Sequence, residues 1–273
     1  LQKNIMSVDL EDYFCDLPFS SWKNYDSRVI LTTKKLLDLF KKYDVTATFF
    51  TLGYIAEKFP ELIEEIKSHG HELSSHGYSH TDIRKMTKKQ FESDLTKSIS
   101  IIRKISGEKV LGFRAPFFSI NKNNLWVFDI LKKHMTYDSS IFPVRTPLYG
   151  IPSAKRYPYS VSDINPLEEI PNGNFTEIPL STLRLPLIGN IPIAGGFYLR
   201  FLPTQLIKFG IKKLNNSNFP AVFYIHPKDL DPEMPRISEY NWTYYWNLKH
   251  ATKKFESILK NFKFSSIREV IFE

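Results

Sequence analysis

Residues 34–53 read KKLLDLFKKYDVTATFFTLG, and within that span the pattern changes period. From Lys34 to Tyr43 the apolar positions Leu36, Leu37, Leu39 and Phe40 follow helical spacing, with lysine pairs beside them; from Val45 to Leu52 the residues are rich in β-formers. A helix that hands over directly to a strand is one step of an alternating chain, and the alternation continues on both sides. Before it, IMSVDL at 5–10 is a short β-type run. After it, Gly53 breaks the strand, Pro60 suits the first turn of a helix to about Ser68, Gly70 fits that helix's C-terminal cap, and HELSS at 71–75 begins another strand. A helix-like stretch from Lys88 to Ile105, KVLGFRAP, a helix near Asn124 to Lys133, and MTYDSSI extend the series. This order predicts parallel strands joined by helical crossovers.

The segment from about 143 to 203 is dense in prolines and poor in helical patterns, so it reads as an insertion of loops and short hairpin strands. Helical order returns at Thr204 to Leu214, AVFYIH is a buried strand, and Trp246 to Phe262 is a last helix before FSSIREVIF, a helix-strand extension over about 237–273. No internal repeat or low-complexity segment interrupts what reads as one catalytic domain over 1–273.

Composition bounds the function. With 273 residues, 42% apolar and 15% aromatic, the chain can bury a large core and is not intrinsically disordered. The single cysteine, Cys15, excludes an internal disulfide framework and a multi-cysteine zinc cluster. Apolar runs such as AVFYI fall far short of the roughly 20 residues needed to cross a bilayer, and no signal peptide is visible at the start, so the expectation is a cytoplasmic protein or one peripheral to the inner membrane. The net charge of +8 is spread as lysine pairs along helix-like faces; this suits solvated surfaces, with weak attraction to an anionic membrane surface as the second reading. Scattered charge without a reader motif argues against nucleic acid as a partner.

Chemistry gathers where strands end. VDLEDYF places Asp9, Glu11 and Asp12 within four residues; such a cluster after a buried strand is self-repelling unless a cation or an arginine offsets it. SSHGYSH at 74–80 carries His76 and His80 after the strand HELSS. Gly77 stands where a metalloprotease helix needs glutamate, which argues against that chemistry. Two imidazoles and one carboxylate, with positions open for water and substrate, instead form a catalytic zinc shell. GFRAPFF puts Arg114 after a strand with Pro116 stiffening the turn and the Phe117 N–H facing outward, and AVFYIHP ends its strand on His226.

The ordered set VDLED, H-x-x-x-H, R-x-P-F, YDSS and IHP resembles the five motifs of the polysaccharide deacetylase family, carbohydrate esterase family 4, over nearly the whole chain. The DLED variant, GGFYLRFLP and the stretch from Tyr244 to Val270 resemble the branch associated with exopolysaccharide and lipopolysaccharide biosynthesis. The resemblance implies a distorted (β/α) barrel of about seven parallel strands and metal-dependent removal of N-acetyl groups from a sugar in a glycan or lipid-linked saccharide. By motif, Asp9 matches the base, Arg114 the residue orienting it, His226 the general acid, and His76 and His80 the ligands of one divalent ion, zinc first, with cobalt, manganese or nickel as alternatives. The family's adjacent aspartates are here separated by Leu10, so either Glu11 or Asp12 supplies the third ligand. Pro116, Phe117, Asp138, Gly196 and Tyr198 are the expected oxyanion and substrate-binding positions, with GGFYLR read as a loop. The competing readings are a metal-free cyclic-amide hydrolase of the same fold and a noncatalytic glycan-binding module.

Overall fold

In the computed structural model of the chain, which describes residues 2–273, IMSVDL forms the centre of strand β1 (Lys3–Leu10), buried from Asn4 onward. The chain then alternates through α1 (Val29–Tyr43), β2 (Thr48–Thr51), α2 (Gly53–Lys58), α3 (Pro60–Ser68), β3 (Glu72–Ser75), α4 (Lys88–Ser106), β4 (Gly112–Phe113), α5 (Val127–His134) and β5 (Tyr137–Asp138). Four short strands follow, β6 (Tyr159–Ser160), β7 (Thr176–Glu177), β8 (Thr182–Leu185) and β9 (Gly189–Pro192). The series ends with α6 (Gly196–Phe201), α7 (Thr204–Asn215), β10 (Val222–Ile225), α8 (Leu248–Leu259) and β11 (Lys263–Ser265). One nine-stranded sheet has the order β10-β1-β2-β3-β4-β5-β7-β6, with β11 also on β1. This is the mixed α/β, mostly parallel arrangement of a (β/α)-barrel-like fold. Among the described residues no helix is long and apolar enough to cross a membrane.

The chain divides into two compact units. The first takes the residues up to Phe49, 64–72 and 193–273. There β1 pairs in parallel with β10, Ile5 opposite Val222 through Val8 opposite Ile225, and with β11 through Lys3 to Ile5. Its core sets Phe40 from α1 edge to face against Phe49 and against Phe255 of α8, and stacks Phe255 on Phe223 of β10. Each of these rings is essentially solvent-free, a burial that contributes roughly 1.5–3 kcal/mol per side chain. The second unit takes 50–63 and 73–192. It runs β3, β4, β5 and β7 in parallel and adds β6 antiparallel, with β8 and β9 as a separate hairpin. Helix α4 opens on a capping box, Thr87 with Gln90, and ends on Gly107 in the left-handed region.

Gly53 follows the end of β2, as expected, and starts α2: a Cβ there would meet the Tyr78 ring at 2.8 Å and the Ser98 Cα at 3.0 Å, so the absent side chain lets α2 lie against α4. Two local expectations are corrected. GGFYLR is helix α6 rather than loop. FSSIREVIF is strand only to Ser265 and then coils at Arg268–Phe272, because the Arg268 N–H donates to the buried Glu72 carboxylate and the Ile267 N–H to the Thr48 hydroxyl, bonds that draw the backbone out of the ladder.

His71 sits neutral in the first unit's core. Its Nδ1 accepts the Ala47 N–H at 3.2 Å and its ring packs on Phe40 and Phe49. Burial, aided by His69, lowers its pKa from 6.5 to about 4. The unfolded chain takes up a proton below about pH 6.5 that the folded chain refuses, so stability present above that pH is lost as pH falls toward about 4, by on the order of 3 kcal/mol. The urea midpoint is expected to drop over that window, and His71→Asn, which keeps an acceptor but does not titrate, is expected to flatten the drop. An unchanged slope in the variant would assign the acid sensitivity elsewhere.

Candidate active site

In the first unit, β1 delivers Asp9, Glu11 and Asp12 to its C-terminal end, all three buried. Asp12 is occupied by the start of α1: its carboxylate accepts the N–H groups of Arg28 at 3.1 Å and Val29 at 3.3 Å, the Ser27 hydroxyl, and the Tyr13 N–H at 2.9 Å. The Arg28 and Val29 N–H groups are orphan donors of a helix N-terminus, satisfied from a distant strand end. Burial nevertheless raises the Asp12 pKa above the usual aspartate value. Glu11 has a different setting. Its Oε1 accepts from Lys228 Nζ at 2.7 Å, and Lys228 also donates to Asp16 at 3.0 Å. Burial opposes the ammonium charge, but Asp16 and Glu11 raise the Lys228 pKa well above its ordinary value.

His226 follows β10 and points its Nε2 at the same acids, 3.4 Å from Glu11 Oε1 and 3.8 Å from Asp9 Oδ2. Its Nδ1–H donates to Asp229 at 2.8 Å, and the His226 N–H donates to the same oxygen at 3.0 Å. Burial lowers the His226 pKa, but Glu11 and Asp229 outweigh it and the net shift is upward. Burial would raise Asp229, yet His226 and Arg200 hold it down to about 2. Gly195 and Gly196 make room for this dyad. A Cβ on Gly196 would lie 1.7 Å from an Asp229 oxygen, and one on Gly195 2.4 Å from the Tyr224 ring.

In the second unit, β3 runs into the histidine loop. Asp94 of α4 pins that loop, accepting the Tyr78 N–H at 2.7 Å and the Ser79 hydroxyl at 2.9 Å, and His80 takes a left-handed φ of 50°. His76 Nδ1–H donates to the Arg114 carbonyl at 2.8 Å, which leaves Nε2 as its ligand atom, and the His76 and His80 rings lie 5.2 Å apart. Arg114 is fully buried. Its guanidinium donates to the Ser139 carbonyl at 3.0 Å and hydroxyl at 2.8 Å and lies 4.1 Å above the centre of the Phe50 ring. Pro116 opens a short turn in which Phe117 has a φ of 56°, with its ring 4.4 Å from that of His80.

Asp138 is wholly buried and lies opposite Glu177 in the β5–β7 register. The pair shares a hydrogen bond; burial raises both pKa values, and the neighbouring Asp138 charge drives Glu177 well up, so Glu177 carries the proton. Asp138 then accepts from the Ser140 hydroxyl at 2.6 Å, and Ser140 in turn accepts the Ala115 N–H at 2.8 Å. The YDSS motif therefore braces the loop that carries Arg114 and Phe117.

Glu11, His76 and His80, all buried, each offer a ligand atom within 4.8 Å of the others, a group that could hold a metal ion. Asp12 is not in that group. Sequence reasoning missed Lys228, Asp16, Arg200, Asp94 and Glu177. Only HPKD carried a usable sign, since proline followed two residues later by aspartate marks a helical N-terminus.

The acids and imidazoles stand at strand ends of a mostly parallel α/β sheet, where such folds carry their reactive groups. The polysaccharide deacetylase family model matches residues 22–134, and a domain of unknown function, DUF3473, matches 139–272. The chain is 32% identical over 215 residues, 77% of its length, to a peptidoglycan deacetylase of Helicobacter pylori, of which it spans 65%. It is 36% identical over 93 residues, 34% of each chain, to a peptidoglycan-N-acetylglucosamine deacetylase of Bacillus cereus. The chain thus spans about two thirds or less of the curated relatives it matches. Among solved structures, a Mycobacterium smegmatis protein assigned as a polysaccharide deacetylase superposes with a TM-score of 0.60 at 16% identity, covering 98% of this chain and 90% of that one. The Bc1960 peptidoglycan N-acetylglucosamine deacetylase superposes at 0.53 and 18% identity, covering 98% and 87%. Residues 22–134 thus carry the polysaccharide deacetylase family's sequence pattern, and the solved structures share the chain's fold.

The proton on Glu177 has a measurable consequence. Glu177→Gln keeps a neutral donor to Asp138 and an acceptor for the Ile141 N–H, so its unfolding free energy is expected within about 1 kcal/mol of the parent. Glu177→Ala, which strands both partners in the interior, is expected to lose roughly 2–4 kcal/mol. Equal losses in the two variants, measured by denaturant unfolding, would show that Glu177 is ionised.

Proposed function

We propose that the chain is a metal-dependent hydrolase that removes N-acetyl groups from an N-acetylated sugar of a cell-envelope glycan or glycan precursor. The observation that supports this most is the buried donor set Glu11, His76 and His80. Two imidazole nitrogens and one carboxylate suit zinc best among common ions, and the His76 Nδ1–H bond to a carbonyl is the outer contact expected of a ligating histidine. A divalent ion there would polarise the amide carbonyl and acidify an attacking water. Neither a metal-free hydrolase nor a binding module needs that set.

Asp9 is the general base and takes the proton of the attacking water. Arg114 matches the residue that orients the base, and the Phe117 N–H supplies a donor to the developing oxyanion. His226 is the general acid. Asp229 fixes its Nδ1, so the proton to be given sits on Nε2, and the upward pKa shift favours the protonated ring. That proton goes to the departing nitrogen, because an amide nitrogen cannot leave as an anion in neutral water. The C–N bond breaks, water supplies oxygen to the acetyl group, and acetate and a free amino sugar leave. Glycans of the peptidoglycan type are the first substrates to test, since the named relatives act on peptidoglycan.

Elemental analysis is expected to find about one divalent ion per chain, lost in His76→Ala and Glu11→Gln and kept in Asp9→Asn, which should retain metal without turnover. Asp12→Asn should keep the metal and lower stability by about 1–2 kcal/mol through the start of α1. Metal lost with Asp12 and kept with Glu11 would reverse the ligand assignment.

His226→Ala is expected to lower kcat on an N-acetyl sugar by roughly 10² to 10⁴. The loss on an aryl acetate ester should be far smaller, because a phenolate leaves unprotonated. An equal loss on both substrates would remove His226 from the role of acid.

A further inference from the structure

Beyond the reacting residues, the first unit displays an aromatic shelf. Trp242 and Trp246, 63% and 50% exposed, meet edge to face at 5.6 Å, and both lie about the ring of Phe201, at 6.0 and 5.9 Å. Phe201 stacks on Phe197 at 4.3 Å. Exposed rings of this size gain nothing from folding, yet the shelf is built on buried groups. Arg200, 6% exposed, donates from Nη1 to the carbonyls of Thr243, Tyr244 and Trp246, each at 3.0 Å, and faces Asp229 at 3.4 Å. The guanidinium that steadies the shelf is therefore paired with the carboxylate that fixes His226.

Trp246 also forms one wall of a cleft of about 360 Å³, within the size range of small-ligand sites. Its lining includes Arg236, Lys249 and His250, together with Tyr245 and Asn247, and contains no carboxylate. Arg236 rests on the Tyr245 ring at 4.7 Å, and among the described residues neither Arg236 nor Lys249 is ion-paired. Apolar ring faces beside amide, phenol and cationic donors match a sugar that carries a carboxylate: its C–H face packs on indole and its acid meets the guanidinium. A bilayer surface would not use the cleft's hydrogen-bonding groups.

We propose that the cleft and shelf bind a carboxylate-bearing sugar unit of the same glycan chain that is deacetylated, which makes the substrate class an acidic glycan. The inference rests on the deacetylase reading for its reaction, and its binding test stands apart from that reaction. The metal-loaded full chain is titrated, by tryptophan fluorescence, with a hexasaccharide alternating glucuronic acid and N-acetylglucosamine and with neutral chitohexaose. The acidic hexasaccharide is expected to bind about tenfold more tightly at 50 mM salt, with the advantage shrinking at 0.5 M salt and lost in Arg236→Gln and in Trp246→Ala. Equal affinity for the two sugars, or an advantage insensitive to Arg236, overturns the proposal. So does a fluorescence change with phosphatidylglycerol vesicles and none with either hexasaccharide, which would assign the shelf to a membrane. If the acidic sugar binds as expected while no acetate is released from any glycan, the cleft stands and the deacetylase reading falls.

Discussion

Carboxylates taken out of water at the end of β1 repel one another, and much of the first unit is arranged to offset that. Asp9, Glu11 and Asp12 lie within four residues on a strand end that solvent does not reach, where a lone charge is far costlier than on the surface. Each acid has its own compensation. Asp12 is covered by the dipoles opening α1, Glu11 by the Lys228 ammonium, and the His226 imidazole approaches both Asp9 and Glu11. The consequence reaches beyond the cluster. Lys228 and Asp229 are adjacent in one helical turn, so the chain must turn sharply after β10 to bring both charges inward, and Pro227 at the start of that turn lowers the cost of the bend. Asp229 then requires Arg200 on α6 and a glycine at 196.

The second unit meets a different demand, which is to hold imidazoles in one orientation on a loop. Left-handed backbone at His80, Phe117 and Phe118 costs of order 1 kcal/mol or more at each residue, and such conformations persist only where neighbours over-determine them. Asp94 does this for the histidine loop from α4. For the loop after β4, Ser119 is the brace: its hydroxyl donates to the Pro116 carbonyl at 2.6 Å and accepts the Ile83 N–H at 3.1 Å. Behind Arg114 the protonated Glu177 completes the support without adding a second buried charge.

What could be read in the sequence follows from the range of the interaction involved. Period and caps are local, so the switch at Tyr43 to Val45, the helix from Pro60 and the buried run AVFYI were legible, and the motif order carried the family. The strands shrank against expectation where side-chain hydrogen bonds displaced the ladder: β4 is short because, although the Arg114 N–H still donates to the Ser75 carbonyl of β3, the Ala115 N–H turns to the Ser140 hydroxyl. Glu177 gave no sign because its meaning arises only from lying opposite Asp138. The choice between Glu11 and Asp12 was equally closed to spacing. Both follow the same strand, and what separates them is that Ser27, Arg28 and Val29, fifteen or more residues away, claim Asp12 first.

That claim also bears on why Glu11, and not Asp12, lies in the group that could hold a metal ion. With the nearer aspartate committed to α1, the remaining acid must satisfy two demands at once, since Lys228 binds Oε1 and His226 approaches the same atom. A carboxylate has about four lone-pair sites, enough for an ammonium, an imidazole and a metal together. Lys228 therefore acts on Glu11 as a fixed counter-charge in a dry interior, and it limits the orientations the carboxylate can take. The Glu11 carboxylate is in this way held from its far side by a lysine one residue before the aspartate that fixes His226, so Glu11 and His226 are positioned by the same turn of chain.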